Sequence, residues 1–274
     1  MKLADLHLHT YFSDGTYSPA DLIFESIKVG LSCIAVVDHD SVKGIGLTLK
    51  AARDKNIEVL PGVELTCEYN SLEVHILGYL IDYKNKDLQK TLESLKNNRI
   101  QRIYKIVAKL NSLGIGLKTE TVFDIAKDGT VGRLHVARAM VREGFVSSPA
   151  EAFHKYIGEK CPAYVAGFRL TPPEAIKLIK DVGGIPVLAH PYSLGCNELL
   201  PTFVDYGIMG LEVYYPEHTK SMVDNYLSFV KKFNLLVTGG SDCHGFAKPE
   251  VKIGSISIPY DLVEKLKEAK TKLR

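Results

Sequence analysis

Short apolar runs alternate along the chain with longer stretches in which apolar positions recur every three or four residues. Runs rich in Val, Ile and Leu are typical of strands buried on both faces, as in repeated β-α-β units. The pattern predicts seven strands, at residues 3–7, 33–37, 57–63, 74–80, 185–189, 210–214 and 235–239. This order favours an α/β barrel related to the (β/α)8 type but one unit shorter, and an open parallel sheet is the competing arrangement.

Several helix starts are explicit in the sequence. Ser18-Pro19-Ala20-Asp21 and Thr171-Pro172-Pro173-Glu174 each combine an N-cap hydroxyl, a proline in the first turn and a carboxylate three residues after the cap. A last helix is predicted over residues 260–273, where lysines near its end suit the negative end of the helix dipole.

The alternation of strands and helices stops between residues 82 and 165, where helical patterns take over. We therefore expect a helical insertion over 82–165 within a barrel made of residues 1–81 and 166–274. Residues 82–143 hold 13 Lys and Arg against 7 Asp and Glu, a local charge of +6, whereas the whole chain carries +2. This asymmetry predicts an anionic ligand between a basic insertion and an acidic barrel.

Bulk composition excludes several classes of protein. The net charge of +2 does not suggest a protein that coats nucleic acid or membranes, and no apolar run approaches the ~20 residues that span a bilayer. Five cysteines, an odd number without a C-x-x-C pair, fit reduced thiols better than a disulfide framework. We expect a cytoplasmic protein with no membrane contact and no obligate protein partner.

Histidines and carboxylates stand at the ends of successive predicted strands. Because the carboxyl ends of parallel strands converge on one face, these side chains are expected in one cleft. Imidazole and carboxylate ligands together suit Mn, Zn or Fe, and the number of candidates predicts two or three divalent ions. The candidate ligands are His7, His9, Asp14, His39, Glu64, His75, His190, Asp242 and His244, and Glu212 lies inside the strand after His190.

These motifs as a set resemble those of the PHP (polymerase and histidinol phosphatase) family. The motifs are His7-Leu8-His9-Thr10, Ser13-Asp14-Gly15, Val37-Asp38-His39-Asp40, Gly62-Val63-Glu64, Ala189-His190-Pro191 and Gly240-Ser241-Asp242-Cys243-His244. The resemblance implies a distorted (β/α)7 barrel with a trinuclear site. It implies that one metal is held by His7, His9, Glu64 and Asp242, a second by Glu64, His75 and His190, and a third by Asp14, His39 and His244.

The insertion resembles the branch of that family that acts on nucleoside 3′,5′-bisphosphates and on the 5′ ends of short RNA. The resemblance rests on residues 132–137 (Gly-Arg-Leu-His-Val-Ala), 151–153 and 162–165, with Leu134 where that branch usually has proline. It implies that Arg133 and His135 bind substrate phosphate, and a forked guanidinium suits that task.

Arg99 and His218 are further candidates for which two interpretations stay open. Arg99 falls within the apolar stripe of a helix predicted over residues 87–113, so it either reaches a substrate phosphate or pairs with a local carboxylate. His218 either binds substrate or donates a proton, or it is an ordinary surface histidine.

The expected activity is hydrolysis of a phosphomonoester by a hydroxide that bridges two metal ions, with Arg133 neutralising the phosphoryl oxygens. The candidate catalytic residues are His190, His218 and Asp242, with His190 or His218 protonating the leaving group. The leading substrate is the 3′-phosphate of a nucleoside 3′,5′-bisphosphate, followed by the 5′ ends of short RNA. The alternatives are a phosphatase for a small substrate such as histidinol phosphate and a non-catalytic PHP module stabilised by metal.

Overall fold

A computed structural model of the protein describes residues 2–70, 72–127, 129–166 and 170–273, and it shows eight strands in one curved sheet. All seven predicted strands are present, and a two-residue strand that the sequence pattern did not predict joins them. The strands are β1 (Leu3–Leu8), β2 (Cys33–Val36), β3 (Glu58–Tyr69), β4 (Leu72–Tyr79), β5 (Ile185–Leu188), β6 (Gly210–Tyr214), β7 (Leu236–Gly239) and β8 (Ile258–Pro259).

The sheet has the order β7-β6-β5-β4-β3-β2-β1-β8, and residues that follow β7 return to β1 and nearly close it. The backbone N–H of Asp242 donates to the carbonyl of His7 at 2.8 Å, and the N–H of His9 donates to the carbonyl of Cys243 at 3.2 Å. The fold is therefore a distorted barrel of the predicted class and not an open sheet. Strand β8 pairs antiparallel with β1 outside this closure.

One strand runs against the expected direction. β3 continues six residues beyond the predicted end at Val63 and turns directly into β4, which pairs antiparallel with both β3 and β5. Among the described residues no helix separates β3 from β4, because the eight residues from Gly62 to Tyr69 all pair with β4. As a result the beginning of β4, which carries His75, lies at the same edge as the carboxyl ends of the parallel strands.

The helices cover the outside of the barrel and fill the long connection between β4 and β5. Both predicted capping boxes are present, at Ser18 with Asp21 and at Thr171 with Glu174. A π-helical turn, Phe153–Ile157, follows α6. The α-helices are α1 (Pro19–Lys28), α2 (Lys43–Ala52), α3 (Lys86–Ser112), α4 (Thr119–Ala126), α5 (Arg133–Arg142), α6 (Pro149–Ala152), α7 (Pro172–Asp181), α8 (Leu200–Asp205), α9 (Lys220–Phe233) and α10 (Tyr260–Lys272).

Helix α3 joins two apolar clusters, and this places its middle beside the site. Leu92 and Leu95 in its first half pack into a cluster of barrel residues. Ile103 and Leu110 in its second half pack into a cluster built from α3, α4, α5 and the turn after α6. Arg99 lies between these two halves, at the boundary between barrel and helical connection. The division of the chain at residues 82 and 165 stays a prediction.

None of the helices in the described parts of the chain is long and apolar enough to cross a lipid bilayer.

Candidate metal centre and adjoining cleft

The carboxylate of Glu64, at the centre of β3, is buried and surrounded by histidine nitrogens. Its Oε2 lies 3.1 Å from His7 Nε2, 3.2 Å from His9 Nε2 and 3.2 Å from His39 Nδ1. Its Oε1 lies 2.8 Å from His75 Nδ1 and 3.2 Å from His190 Nε2. Five imidazoles on one carboxylate form a site that requires positive charge, because unprotonated nitrogens would repel the carboxylate oxygens.

Two further carboxylates extend this cluster. Asp242 Oδ1 lies 3.0 Å from His9 Nε2 and 3.4 Å from His7 Nε2. On the other side, Asp14 Oδ1 lies 3.1 Å from His244 Nε2.

The structure brings all nine predicted ligands together. In three groups the ligand atoms all lie within 4.8 Å of one another. His190 adjoins the group made of His39, Glu64 and His75, because its Nε2 lies 3.2 Å from His75 Nδ1. The groups are His7, His9, Glu64 and Asp242, then His9, Asp14, His39 and His244, then His39, Glu64 and His75.

Three buried polar atoms of the cluster show whether it fits metal ions. His9 Nε2, Asp14 Oδ1 and His39 Nδ1 are buried, and although each lies near an oppositely charged group, none makes a hydrogen bond of good geometry in the described part of the chain. Burying such atoms unsatisfied costs about 1–3 kcal/mol each. A bound cation would satisfy all three, and mixed nitrogen and oxygen donors suit divalent transition metals. The cluster therefore supports the use of divalent metal.

Neighbouring groups orient the rings of the cluster. His7 Nδ1 donates to Glu212 Oε1 at 2.9 Å, and His244 Nδ1 donates to the carbonyl of Asp242 at 2.8 Å. In both residues this leaves the Nε2 lone pair directed into the cluster, as in the carboxylate-histidine-metal arrangements of metalloenzymes. Glu212 Oε2 also accepts the backbone N–H of His190 at 2.8 Å.

Sequence reasoning noted Glu212 but gave it no role. The signal was present: it is a carboxylate in the middle of the buried strand β6, Gly-Leu-Glu-Val-Tyr, and its side chain is fully buried. A carboxylate in such a position needs a buried partner.

Glu212→Gln is expected to lower metal affinity by about 10–100-fold, because a neutral amide makes the His7 ring less basic and orients it less strongly. Metal titration followed by isothermal calorimetry measures the change. Glu264→Gln, on an exposed position of α10, is the matched control. Equal metal affinity in the two variants would contradict this role for Glu212.

The pKa values of three histidines in the cluster show the same demand for positive charge. Burial alone would lower the pKa of His7, but the carboxylates of Glu212 and Glu64 raise it well above its usual value. Burial and neighbouring carboxylates oppose each other in the same way at His9 and His75. The carboxylates prevail, so Asp242 raises the pKa of His9 to about 9 and Glu64 raises the pKa of His75 to about 9. Burial raises the pKa of Glu64, but His39 and His7 hold it well below its usual range.

Buried carboxylates outside the cluster hold the loops that carry it. Asp38 accepts hydrogen bonds from the N–H and hydroxyl of Thr10 at 2.7 and 2.6 Å and from the Ser13 hydroxyl at 2.7 Å. Asp5 accepts from the N–H and hydroxyl of Ser241 at 2.9 and 2.6 Å. These bonds position the segments that contain Asp14 and Asp242.

Two residues of the cluster adopt backbone conformations that side chains seldom favour. Asp242 has a φ of 55° and His190 a φ of 23°. Such positions cost about 1–3 kcal/mol and concentrate at functional sites, where the surrounding structure holds them.

A cleft of about 180 Å³ opens beside the cluster. Asp14, His39, His75 and His244 form one part of its lining. The lining also contains Glu73 and four cationic side chains, those of Arg99, Arg102, Arg133 and Lys248.

Arg133, at the start of α5, is held within this lining by three contacts. Its Nη2 donates to Glu73 at 2.7 Å, and its guanidinium lies 5.6 Å from the ring centre of Phe153 and 5.7 Å from that of Tyr164. Nε and Nη1 have no acceptor in the described parts of the chain. The structure thus presents part of the guanidinium fork to the cleft.

Arg99 pairs with a carboxylate, as one of the two interpretations of the sequence expected. Its Nε donates to Asp40 Oδ2 at 2.7 Å, and its Nη2 donates to the Thr66 hydroxyl at 2.6 Å. Arg99 also lines the cleft, so the ion pair and a contribution to phosphate binding are compatible.

His135 and His218 do not line the cleft. His135 Nδ1 accepts the N–H of Gly132 at 3.1 Å and so caps α5, and burial lowers the pKa of His135 to about 4. His218 Nδ1 donates to the carbonyl of Val213 at 2.8 Å, and burial lowers the pKa of this ring as well. Neutral His218 is therefore an acceptor at Nε2, and it packs against Tyr215.

Lys248, which the sequence did not indicate, and Tyr215 both contact a carboxylate of the cluster. Lys248 Nζ lies 3.0 Å from Asp242 Oδ2, and the Tyr215 hydroxyl donates to the same oxygen at 2.9 Å. Lys248 follows a short helical turn after His244, and no local pattern shows that this turn folds back onto Asp242.

Several known proteins are similar to this chain in sequence and in fold. The model of the PHP domain matches residues 5–131. A 5′-3′ exoribonuclease of Haemophilus influenzae is 33% identical over 251 residues, which cover 89% of this chain and 90% of that protein. A 3′,5′-nucleoside bisphosphate phosphatase of Chromobacterium violaceum is 30% identical over 254 residues, covering 89% of this chain and 88% of that protein.

Among solved structures, a proposed metal-dependent phosphoesterase from Bifidobacterium adolescentis superposes with a TM-score of 0.89 at 29% identity, covering 96% of this chain and 94% of the other. The similarity extends over the barrel and the helical connection together, so it includes both sides of the cleft. From the identity to the Haemophilus protein across nine-tenths of both chains, we conclude that this chain belongs to the PHP family and is a phosphoester hydrolase.

Proposed function

We propose that this protein removes the 3′-phosphate of nucleoside 3′,5′-bisphosphates and also hydrolyses short RNA from the 5′ end. The observation that carries the proposal is the cleft, in which Arg133 and Lys248 face the cluster of histidines and carboxylates. A substrate with two phosphates needs cationic groups beyond those that act at the reacting phosphorus. Two relatives named for these activities support the choice.

The nine clustered ligands are proposed to hold two or three ions of Mn, Zn or Fe. One ion would lie among His7, His9, Glu64 and Asp242, whose ligand atoms already converge. Glu64 with His75 and His190 would hold a second, and Asp14 with His39 and His244 a third. When bound, such ions lower the pKa of water and polarise phosphoryl oxygens.

Arg133 is proposed to bind and orient a phosphate. Its Nε and Nη1, which have no acceptor among the described residues, can each donate a charge-assisted hydrogen bond to phosphate oxygen, and the Phe153 and Tyr164 rings hold the guanidinium plane in place. Arg99 and Lys248 add positive potential to the cleft, and each is fixed by a carboxylate. His135, through its bond to Gly132, fixes the start of the helix that carries Arg133.

His190 and Asp242 are the proposed catalytic residues that contact the reacting groups. Both belong to the cluster, since His190 lies 3.2 Å from Glu64 and Asp242 lies 3.0 Å from His9. His190 Nδ1 lies 3.2 Å from the Ser193 hydroxyl, which directs Nε2 inward. His218 is better placed as a positioning residue, because it packs on Tyr215, whose hydroxyl holds Asp242.

Metal-loaded protein is expected to release inorganic phosphate and adenosine 5′-monophosphate from adenosine 3′,5′-bisphosphate. It should hydrolyse histidinol phosphate far more slowly, because that substrate has no second phosphate for the arginine side of the cleft. Release of phosphate under the same metal and pH conditions measures both. Preferential hydrolysis of histidinol phosphate, or no hydrolysis of the bisphosphate, would disprove the proposed substrate.

A further inference from the structure

A second cavity of about 430 Å³ lies at the N-terminal end of α2 and is called the α2 cavity below. An ion pair connects the lining of this cavity with that of the cleft. Asp40 lines the α2 cavity, Arg99 lines the cleft, and Arg99 Nε donates to Asp40 Oδ2 at 2.7 Å. A ligand longer than one nucleotide that leaves the cleft over this pair enters the α2 cavity.

The N-terminus of α2 borders this cavity. Its N-cap residue, Val42, offers no side-chain hydrogen bond, and the first turn contains no acidic residue. Ser41, Val42 and Lys43 all line the cavity. The first N–H groups of a helix and the positive end of its dipole attract anions, and Lys43 adds a full charge at the same place.

Two buried hydroxyls of the lining lack acceptors. Thr130 is 4% exposed, and its side chain makes no hydrogen bond in the described parts of the chain, although its backbone N–H is fixed to the carbonyl of Phe12 at 3.1 Å. Ser41 is 5% exposed, and its hydroxyl oxygen accepts the N–H of Lys43 at 3.4 Å while its hydrogen has no acceptor among the described residues. Both hydroxyls border the cavity and are free to donate to a ligand with acceptor oxygens.

The charge and shape of the cavity favour a nucleotide. The lining carries two positive charges, on Lys43 and Lys96, against one negative charge on Glu93. The second carboxylate of the lining, that of Asp40, is neutralised by Arg99. Tyr83 adds an aromatic ring to the lining. The volume of about 430 Å³ exceeds what a lone phosphate needs and falls within the range of small-molecule sites.

We propose that the α2 cavity binds the second nucleotide of a single-stranded oligoribonucleotide whose terminal nucleotide occupies the cleft. The phosphodiester that joins the second nucleotide to the third lies at the N-terminus of α2 and accepts hydrogen bonds from Thr130 and Ser41, with Lys43 beside it. The inference rests on the proposed function, because it extends that substrate by one residue. It makes the α2 cavity the site at which an RNA chain is distinguished from a mononucleotide.

The test compares KM for a short 5′-phosphorylated oligoribonucleotide with KM for adenosine 3′,5′-bisphosphate, using metal-loaded full-length protein. In Lys43→Ala/Thr130→Val the KM for the oligoribonucleotide divided by the KM for the bisphosphate is expected to rise about tenfold. The slope of log affinity for the oligonucleotide against log salt concentration should fall by about 0.7, the value for one lost cation on a single strand. Lys43→Ala alone, at an exposed position, should move the ratio in the same direction.

Lys50→Ala is the matched control, because it removes an exposed lysine from the other end of α2, outside the cavity. An unchanged ratio in the double variant, or an equal change in Lys50→Ala, would overturn the inference. If the unaltered protein hydrolyses neither substrate, the proposed function fails by itself. Fluorescence anisotropy of the labelled oligonucleotide then decides: weaker binding only in the double variant upholds the α2 cavity, and equal binding refutes it.

Discussion

Glu64→Gln is expected to lower kcat/KM by roughly 10³-fold or more and to reduce the number of metal ions bound per chain. The amide has the same shape as the carboxylate, so packing in β3 is retained while the charge shared by five histidines is lost. His7 and His39 would then face a neutral group that attracts a cation far less strongly.

Metal content by mass spectrometry of the purified protein, together with phosphate release, measures both effects. Glu264→Gln, an exposed glutamate on α10, controls for the loss of one carboxylate from the chain. Full metal content in Glu64→Gln would contradict the central position that the geometry gives to this residue. Circular dichroism establishes that the variant retains its fold.

Arg133→Ala is expected to lower kcat/KM for adenosine 3′,5′-bisphosphate by about 10²-fold, because two charge-assisted hydrogen bonds to phosphate are lost. Arg133→Lys should recover only part of this loss, since an ammonium keeps the charge but not the planar fork. Steady-state kinetics on both variants measures the difference. The metal content should not change, because Arg133 contacts Glu73 and aromatic rings and none of the clustered ligands.

Arg142→Ala removes an exposed arginine from the opposite end of α5 and is the matched control. Equal losses on histidinol phosphate and on the bisphosphate in Arg133→Ala would show that Arg133 serves the fold and not the second phosphate. A loss confined to the bisphosphate supports the substrate proposed above.

The clustered histidines and carboxylates could be identified from the sequence because strand ends are a local property. His7 and His9 follow an apolar run with a spacing of two, and Asp242 and His244 do the same after β7. A buried strand and the residues that leave it can be recognised without any knowledge of the partners. The single weak point was β4, because the rule that places residues at carboxyl ends holds only for parallel strands. His75 reaches the site from the beginning of a strand that runs the other way.

The charged residues beside the cluster could not be identified from the sequence in the same way. Lys248 lies six residues after Asp242, and only the path of the turn brings its Nζ within 3.0 Å of that carboxylate. Arg99 was ambiguous because its helix pattern could not reveal Asp40, 59 residues earlier in the chain, as its partner. Long-range pairs of this kind depend on how α3 crosses from the barrel to the helical connection.

The sequence by itself determined the class of fold, the metal-binding chemistry and the family, because strand periodicity and ligand spacing are local features. Only the tertiary structure decided the direction of β4, the burial of Glu212 behind His7 and the ion pair of Arg99 and Asp40 that connects the lining of the cleft with that of the α2 cavity. These features arise where segments distant in the chain pack together. Their energy comes from desolvation and charge pairing between those segments, which no local pattern encodes.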